Sequence, residues 1–217
     1  MRRSDYRPRS MPKPDPRTRD AIVDATIEII VADGYDAVSL GDVAKRARVS
    51  LATIYKLFPT QRAKQSRARD EVIVAAVERW IDLNVHADVT PASPDETLYA
   101  ALMRMMGYAF EPWLRNPGML VAYHRVANGP HRLRVRSRMF DALAPVGLRA
   151  LEAHDPRYAH DVSTIMELVC DGAIGWYADG HLALDEVMPT VERTIFRITS
   201  DNSTIATQDR SRETATG

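Results

Sequence analysis

Residues 39–59 read SLGDVAKRARVSLATIYKLFP. The spacing predicts two short helices joined by a tight turn. In the first, Leu40, Val43, Ala44 and Ala47 fall at i, i+3, i+4 and i+7, one apolar face of a helix. Ser39 stands just before Leu40, where its hydroxyl can accept from an orphan N–H of the first turn. The turn is Arg48-Val49-Ser50, and Ser50 can cap the second helix. There, Ile54 and Phe58 are four apart and can pack back on the first helix. Leu51, Ala52, Thr53, Tyr55 and Lys56 are left facing out. Such a set suits a helix lying in a DNA major groove. Small residues allow close approach, hydroxyls and lysine reach phosphates and base edges, and the helix N-terminus favours a phosphate. Pro59 then stops the helix.

This stretch resembles the DNA-binding segment of the TetR family of bacterial transcriptional regulators. The resemblance is carried by Asp33-Gly34-Tyr35, Leu40, Val43-Ala44, Ala47, Val49-Ser50, Thr53-Ile54-Tyr55 and Phe58-Pro59, within residues 17–66. The family pattern S-x-G-T-L-Y-x-x-F is here Ser50 to Phe58, with Ala52 in place of the usual Gly. The family's usual S-K-E-x-L-L start of a fourth helix is replaced by Thr60-Gln61-Arg62-Ala63-Lys64-Gln65, which keeps a capping hydroxyl but is more basic. On this reading the DNA-binding residues are Ser39, Arg46, Ser50, Leu51, Ala52, Thr53, Tyr55, Lys56 and Lys64. Thr53 with Leu51 or Ala52 would meet base edges. Tyr55, Lys56, Ser39, Arg46 and Lys64 would hold phosphates.

The formal net charge of the 217-residue chain is zero, but it is unevenly spread. Residues 1–70 hold 15 Lys and Arg against 9 Asp and Glu, a net of +6, so the remainder carries −6. A basic first third beside an acidic remainder suits a DNA-reading head on a self-associating body. The single cysteine, Cys170, excludes an internal disulfide framework and a multi-cysteine metal site. No apolar run approaches the ~20 residues of a membrane span. The first residues lack the apolar core of a secretory signal. A cytoplasmic protein without membrane contact is expected.

Four segments follow: a basic, proline-rich arm at 1–16, expected to be disordered; a helix-turn-helix domain at 17–66; a helical body at 67–199; and a polar tail at 200–217, also expected to be disordered. The arm reads equally as a solubilising tail or as a source of extra DNA contacts. The first helix is expected over 17–33, with Ile22, Ala25, Ile29 and Ala32 on one face and Gly34 as an αL cap. A fourth helix is expected from near Thr60 to about Val85, with Val72, Ala76, Trp80 and Leu83 on one face. Asp95 is expected to start the next, kinked at Pro112. Further helices are expected at about 117–127 and about 131–153, the latter interrupted by Pro145 and Gly147.

Two helices at about 158–179 and 185–199 close the body. In the first, Val162, Ile165, Met166, Val169, Ala173, Trp176 and Tyr177 keep helical spacing. In the second, Val187, Val191, Ile195 and Ile198 do, and Pro189 fits only in the first turn. The family resemblance implies that these two pair with a partner's to form a homodimer. The alternative is that both stripes face the chain's own core; each helix could do both, and a dimer is the expectation, resting mainly on the resemblance.

No phosphate-cradling glycine loop, paired His at metal spacing or nucleophile elbow is present, so neither an enzyme nor a cofactor is expected. Met103, Met106, Phe110, Trp113, Tyr123, Met139, Met166 and Trp176, with His124 and Glu167 as polar members, are spread over several expected helices. They suit an apolar ligand pocket, although Met and aromatic residues at helical spacing are also plain core. That the body binds a small effector is implied by the family. Its middle stretch is similar to that of the family's regulators of sterol and lipid catabolism, which implies a hydrophobic, lipid-like or acyl-CoA effector. Arg132, Arg134, Arg136 and Arg138 form i, i+4 pairs that repel. An anion nearby, or acidic side chains along a solvated face, would relieve that.

The expectation is an all-α protein with a three-helix DNA-binding head and a helical body. It would act as a ligand-responsive, homodimeric regulator, a repressor, on a palindromic operator. The alternative is a DNA-associated assembly module without sequence preference.

Overall fold

The computed structural model describes residues 16–59, 65–85, 93 and 96–200. Among them the regular structure is helical throughout: α1 Pro16–Asp33, α2 Leu40–Arg46, α3 Leu51–Leu57, α4 Gln65–Asn84, α5 Leu98–Arg115, α6 Pro117–Ala127, α7 Arg132–Leu151, α8 Pro156–Ala178 and α9 Leu184–Ile198, with one 3-10 turn at Tyr35–Ala37. The expected basic arm up to Asp15 and the tail from Asp201 lie outside the described residues, as do Thr60 to Lys64 and Asp95.

The head is α1 to α3. Ile22, Val23, Ala25, Thr26, Ile29 and Ile30 of α1 are buried, and the Thr26 hydroxyl is satisfied by donating to the Ile22 carbonyl at 2.8 Å. Ala32, expected on this face, is exposed, because the buried row runs through Ile29 and Ile30. Gly34 does end α1, with its N–H on the Ile30 carbonyl at 3.0 Å. Its φ of 87° and ψ of 172° are not those of an αL cap. The extended ψ sends the chain into the 3-10 turn and on to α2.

α4 connects head and body. Val72 to Val77, Trp80 and Ile81 are all buried, because α1 covers one side of the helix and α6 and α7 the other. Leu83, expected on the buried face, is 56% exposed. It lies about 200° round the helix from buried Ile81. Arg79 donates from Nε to Asp24 of α1 at 2.6 Å.

In the body α6 and α7 pack on the rest of α4, α5 packs on α6, α7 and α9, and α8 packs on α6 and α9. α5 begins at Leu98, where the Thr97 side chain accepts from the Ala100 N–H, rather than at Asp95. It runs on through Pro112 to Arg115. α7 is unbroken where Pro145 and Gly147 suggested an interruption. α5 packs along it, and Gly147 leaves room for the Met105 sulfur, which would stand 2.9 Å from a Cβ there. Pro189 lies in the second turn of α9, not the first. Its missing N–H costs one bond to the carbonyl of exposed Asp185.

One close approach fixes α6 on the head. A Cβ at Gly118 would lie 2.5 Å from the Ile30 carbonyl oxygen and 3.8 Å from Gly34 Cα. Only glycine lets the start of α6 sit against the end of α1. No helix of the described residues is long and apolar enough to cross a membrane.

Candidate nucleic-acid interface and aromatic interior of the body

α2 and α3 are short, and their ends are fixed by side chains. Ser39 caps α2: its hydroxyl accepts from the Asp42 N–H at 3.1 Å and donates to the Asp42 carboxylate at 2.5 Å. Ser50 caps α3 by accepting from the Thr53 N–H at 3.1 Å. Its oxygen also lies 2.9 Å from the Thr53 hydroxyl, so one bond orients the two hydroxyls together. In the turn between, Arg48 takes φ +55°, a left-handed conformation that L side chains seldom adopt. This bend sends the Val49 N–H back to the Ala44 carbonyl at 2.9 Å and turns α3 across α2.

α3 is held from one side. Ile54 and Phe58 are buried against the head, with Arg19 over the Phe58 ring at 5.0 Å. Leu51 and Tyr55 are 42% and 41% exposed, Ala52 and Lys56 are exposed, and Thr53 is half-buried. This face of α3 is therefore turned to solvent and is not part of the core. Arg46 is exposed and reaches Glu28 only at 3.9 Å, so it is not locked away from an incoming phosphate. Beside it an open cleft of about 520 Å³ is lined by Ile29, Asp33, Ala37, Asp42, Lys45 and Arg46. Its charged lining does not suit an apolar ligand. Lys64 lies outside the described residues.

Most of the body residues singled out from the sequence do converge. Met106, Phe110, Trp113, Tyr123 and Met166 are buried, and Met103 and Met139 pack against the same core. The Trp113 ring lies 5.3 Å from that of Tyr123. Trp80 of α4 is 6.3 Å from the same Trp113 ring, so three helices contribute to one aromatic cluster. The sequence reading placed Trp80 on an apolar face of its helix but not in this group, since nothing in its spacing says which helix that face meets. The Cys170 sulfur is 3.7 Å from that of Met106, and burial pushes its thiol up to about 12. Burial, with Asp171 nearby, also pushes the Tyr123 phenol up to about 12. The His124 ring is held against Gly175, where a Cβ would lie 3.2 Å from it, and by Asn128 at 3.1 Å.

Glu167 and Trp176 do not join this cluster. The Glu167 side chain is 72% exposed and Trp176 is 63% exposed. The regular spacing of α8 splits into two faces. Val162, Met166 and Ala173 turn inward, whereas Ile165, Leu168 and Trp176 turn outward. Phe196 of α9, 63% exposed, stands edge-on to Tyr99 at 6.2 Å.

Acidic partners meet three of the four arginines clustered at 132–138 on α7. Arg134 pairs with Glu78, and with Glu71 at 3.6 Å. Arg138 donates to Asp82 at 2.7 Å. Arg136 pairs with Asp171, and with Glu167 at 3.7 Å. Arg132 is exposed. The i, i+4 repulsion is therefore relieved from within, by α4 and α8, and the cluster does not require an external anion.

Residues 22–63 match the model described as bacterial regulatory proteins of the tetR family, and residues 95–198 match that of the tetracyclin repressor-like C-terminal domain. The chain is similar to the HTH-type transcriptional repressor KstR of Mycolicibacterium smegmatis, at 31% identity over 107 residues, 49% of this chain and 48% of that protein. The match thus spans about half the length of this curated relative. The fold is similar to that of a TetR transcriptional regulator from Rhodococcus sp. RHA1, with a TM-score of 0.59 and 21% identity over 87% of this chain and 98% of that one. It is also similar to a TetR-family regulator from Rhodococcus sp., with a TM-score of 0.54 and 16% identity over 85% and 100% of the two chains. Capped α2 and α3 with a solvent-facing side, a helical body around an aromatic interior, and family matches to both halves have one reading: the chain belongs to the TetR family of bacterial regulatory proteins.

Proposed function

We propose that the protein is a ligand-responsive repressor that binds a palindromic operator as a homodimer. The observation that carries the DNA reading is the outward face of α3. Leu51, Ala52, Tyr55 and Lys56 are exposed there while Ile54 and Phe58 anchor the helix. Thr53 with Leu51 or Ala52 reads base edges. Ser39, Arg46, Ser50, Tyr55, Lys56 and Lys64 hold the backbone and set register. Two heads spaced about one helical turn (~34 Å) apart, or slightly more, read two half-sites.

The dimer reading is supported by Ile165, Leu168, Trp176 and Phe196. These four apolar side chains are left in water on the outer faces of α8 and α9, where a second copy would cover them. The effector reading is supported by the buried Met106, Phe110, Trp113, Tyr123 and Met166 between helices, with Met103 and Met139 beside them and His124 as a polar member. The ligand is apolar in its larger part. By binding two arrangements of the heads unequally, it releases DNA.

Selection from random duplex DNA at near-physiological salt tests this. A recovered palindrome is the expected outcome. Sequence-blind, salt-sensitive binding alone would instead favour an assembly role. On the recovered site, Lys56→Ala should weaken binding to all sequences and flatten the salt slope by roughly one unit. Thr53→Ala should change preference at particular positions.

A further inference from the structure

Lysine is confined to the first part of this chain. The four lysines are Lys13, Lys45, Lys56 and Lys64, and the residues beyond 64 hold sixteen arginines and no lysine. Arginine makes the ion pairs that tie helices together, as Arg79 with Asp24, Arg134 with Glu78 and Arg136 with Asp171. Lys45 and Lys56, the two lysines among the described residues, are exposed, and neither amine has a hydrogen bond or ion pair there. Lys56 lies on the outward face of α3. Lys45, in the last turn of α2, lines the open cleft with Asp33, Asp42 and Arg46. Asp42 is engaged by the Ser39 cap. The Asp33 carboxylate is exposed and has no partner among the described residues. It stands in the last turn of α1, where the helix dipole opposes a negative charge. One cleft thus holds an unpaired amine and an unpaired carboxylate that do not pair with each other. A lysine amine can lose its proton and be acylated, which deletes its charge, whereas a guanidinium stays protonated.

We infer that Lys45 is an acylation site, modified in this cleft by a phosphate-bearing acyl thioester, and that the loss of its charge weakens the hold on DNA. This rests on the reading of α2 and α3 as the DNA-binding unit. The neutral amine attacks the thioester carbonyl carbon, a C–N bond forms and the C–S bond breaks. The proton leaving nitrogen passes by way of Asp33 to the departing sulfur, so the products are an amide and a free thiol. Arg46, which reaches Glu28 only at 3.9 Å, meets the donor's phosphates. The amide carries no charge, so the positive field around Arg46, a phosphate-holding residue of the head, falls. With no lysine beyond residue 64, the same chemistry leaves the arginine pairs of the body intact.

The test treats the full-length protein with acetyl-CoA at pH 8 and reads each lysine by peptide mass spectrometry. Lys45 is expected to be acetylated about tenfold faster than Lys56, and Asp33→Asn to bring the two rates together without changing that of Lys56. Equal rates in the wild-type protein, or a Lys45 rate untouched by Asp33→Asn, overturn the site. Affinity for duplex DNA is then read at fixed salt, before treatment and after treatment stopped once Lys45 is modified. The expected result is a roughly tenfold loss of affinity and a flatter salt slope. Lys45→Arg keeps the charge, cannot be acylated in this way, and should hold its affinity through the same treatment. Unchanged affinity of wild-type protein acetylated at Lys45 overturns the control of DNA binding. An untreated protein with no affinity for DNA overturns instead the DNA-binding reading on which this rests.

Discussion

Arg69, on α4, donates from Nε to the backbone carbonyl of Val38 at 2.7 Å. The same guanidinium donates from Nη2 to the Tyr35 carbonyl at 2.8 Å and lies over the Tyr35 ring at 4.8 Å. One side chain thus satisfies two loop carbonyls just before α2 and ties the recognition unit to the helix that enters the body. Arg69→Met should lower stability by about 2 kcal/mol, since two charge-assisted bonds and their geometry are lost. Arg69→Lys should also lower the melting temperature, because a lysine cannot span both carbonyls as a guanidinium does. Thermal unfolding of the three proteins checks this.

Gly118 makes the second tie between body and head. With a Cβ only 2.5 Å from the Ile30 oxygen, Gly118→Ala must push α6 away from the end of α1. The expected loss is about 1–3 kcal/mol, with a changed DNA affinity at fixed salt even though Gly118 is far from α3 in sequence. Gly172→Ala is the control. A Cβ there meets nothing within 4 Å, so a helix former in place of glycine should leave stability unchanged or slightly raised. Denaturant unfolding and operator titration measure both.

Arg48 holds φ +55° in the turn between α2 and α3. Arg48→Gly should relieve that conformation and raise stability by about 0.5–1 kcal/mol, the steric gain outweighing the greater freedom of glycine in the unfolded chain. An unchanged or lowered melting temperature would show that the arginine makes up for its conformation through contacts of its side chain.

The thiol of Cys170 and the phenol of Tyr123 are both raised to about 12 by burial, from ordinary values of 9.0 and 10.0. Both are neutral when protonated, so the fold favours the protonated forms. Their contribution is complete below pH ~9 and is lost as the pH climbs from there towards 12. Melting temperature should therefore fall over that alkaline window. At pH 8, iodoacetamide should spare Cys170 in the native protein and modify it once the chain is unfolded.

The amphipathic spacing of α8 marks a helix but cannot say which half of a wide apolar stripe faces inward. Val162 and Ile165 are three residues apart on that stripe, yet the first is 2% exposed and the second 38%. Which of them is covered depends on where α6 and α9, the helices packed on α8, lie. The α7 arginines pose the same problem in charge. Spacing along one helix shows their repulsion, whereas Glu78 and Asp82, 56 residues before their partners, supply its relief. Chain separation of that kind leaves no trace in local periodicity.

What the sequence alone determined was local. The caps Ser39 and Ser50, and the i, i+4 spacing that sets Ile54 and Phe58 on one face of α3 with the outward set on the other, follow from hydrogen bonds and helix spacing within a single short element. Most helix boundaries, including Pro117–Ala127, follow from caps and prolines in the same way. The tertiary structure decided what depends on neighbours remote in the chain. It carried α7 through Pro145 and Gly147, placed Trp80 beside Trp113 and Tyr123 without an acceptor, and turned Glu167 and Trp176 outward. A helix's own bonds are written within four residues of each position, but burial and pairing are set by whichever helix packs across it.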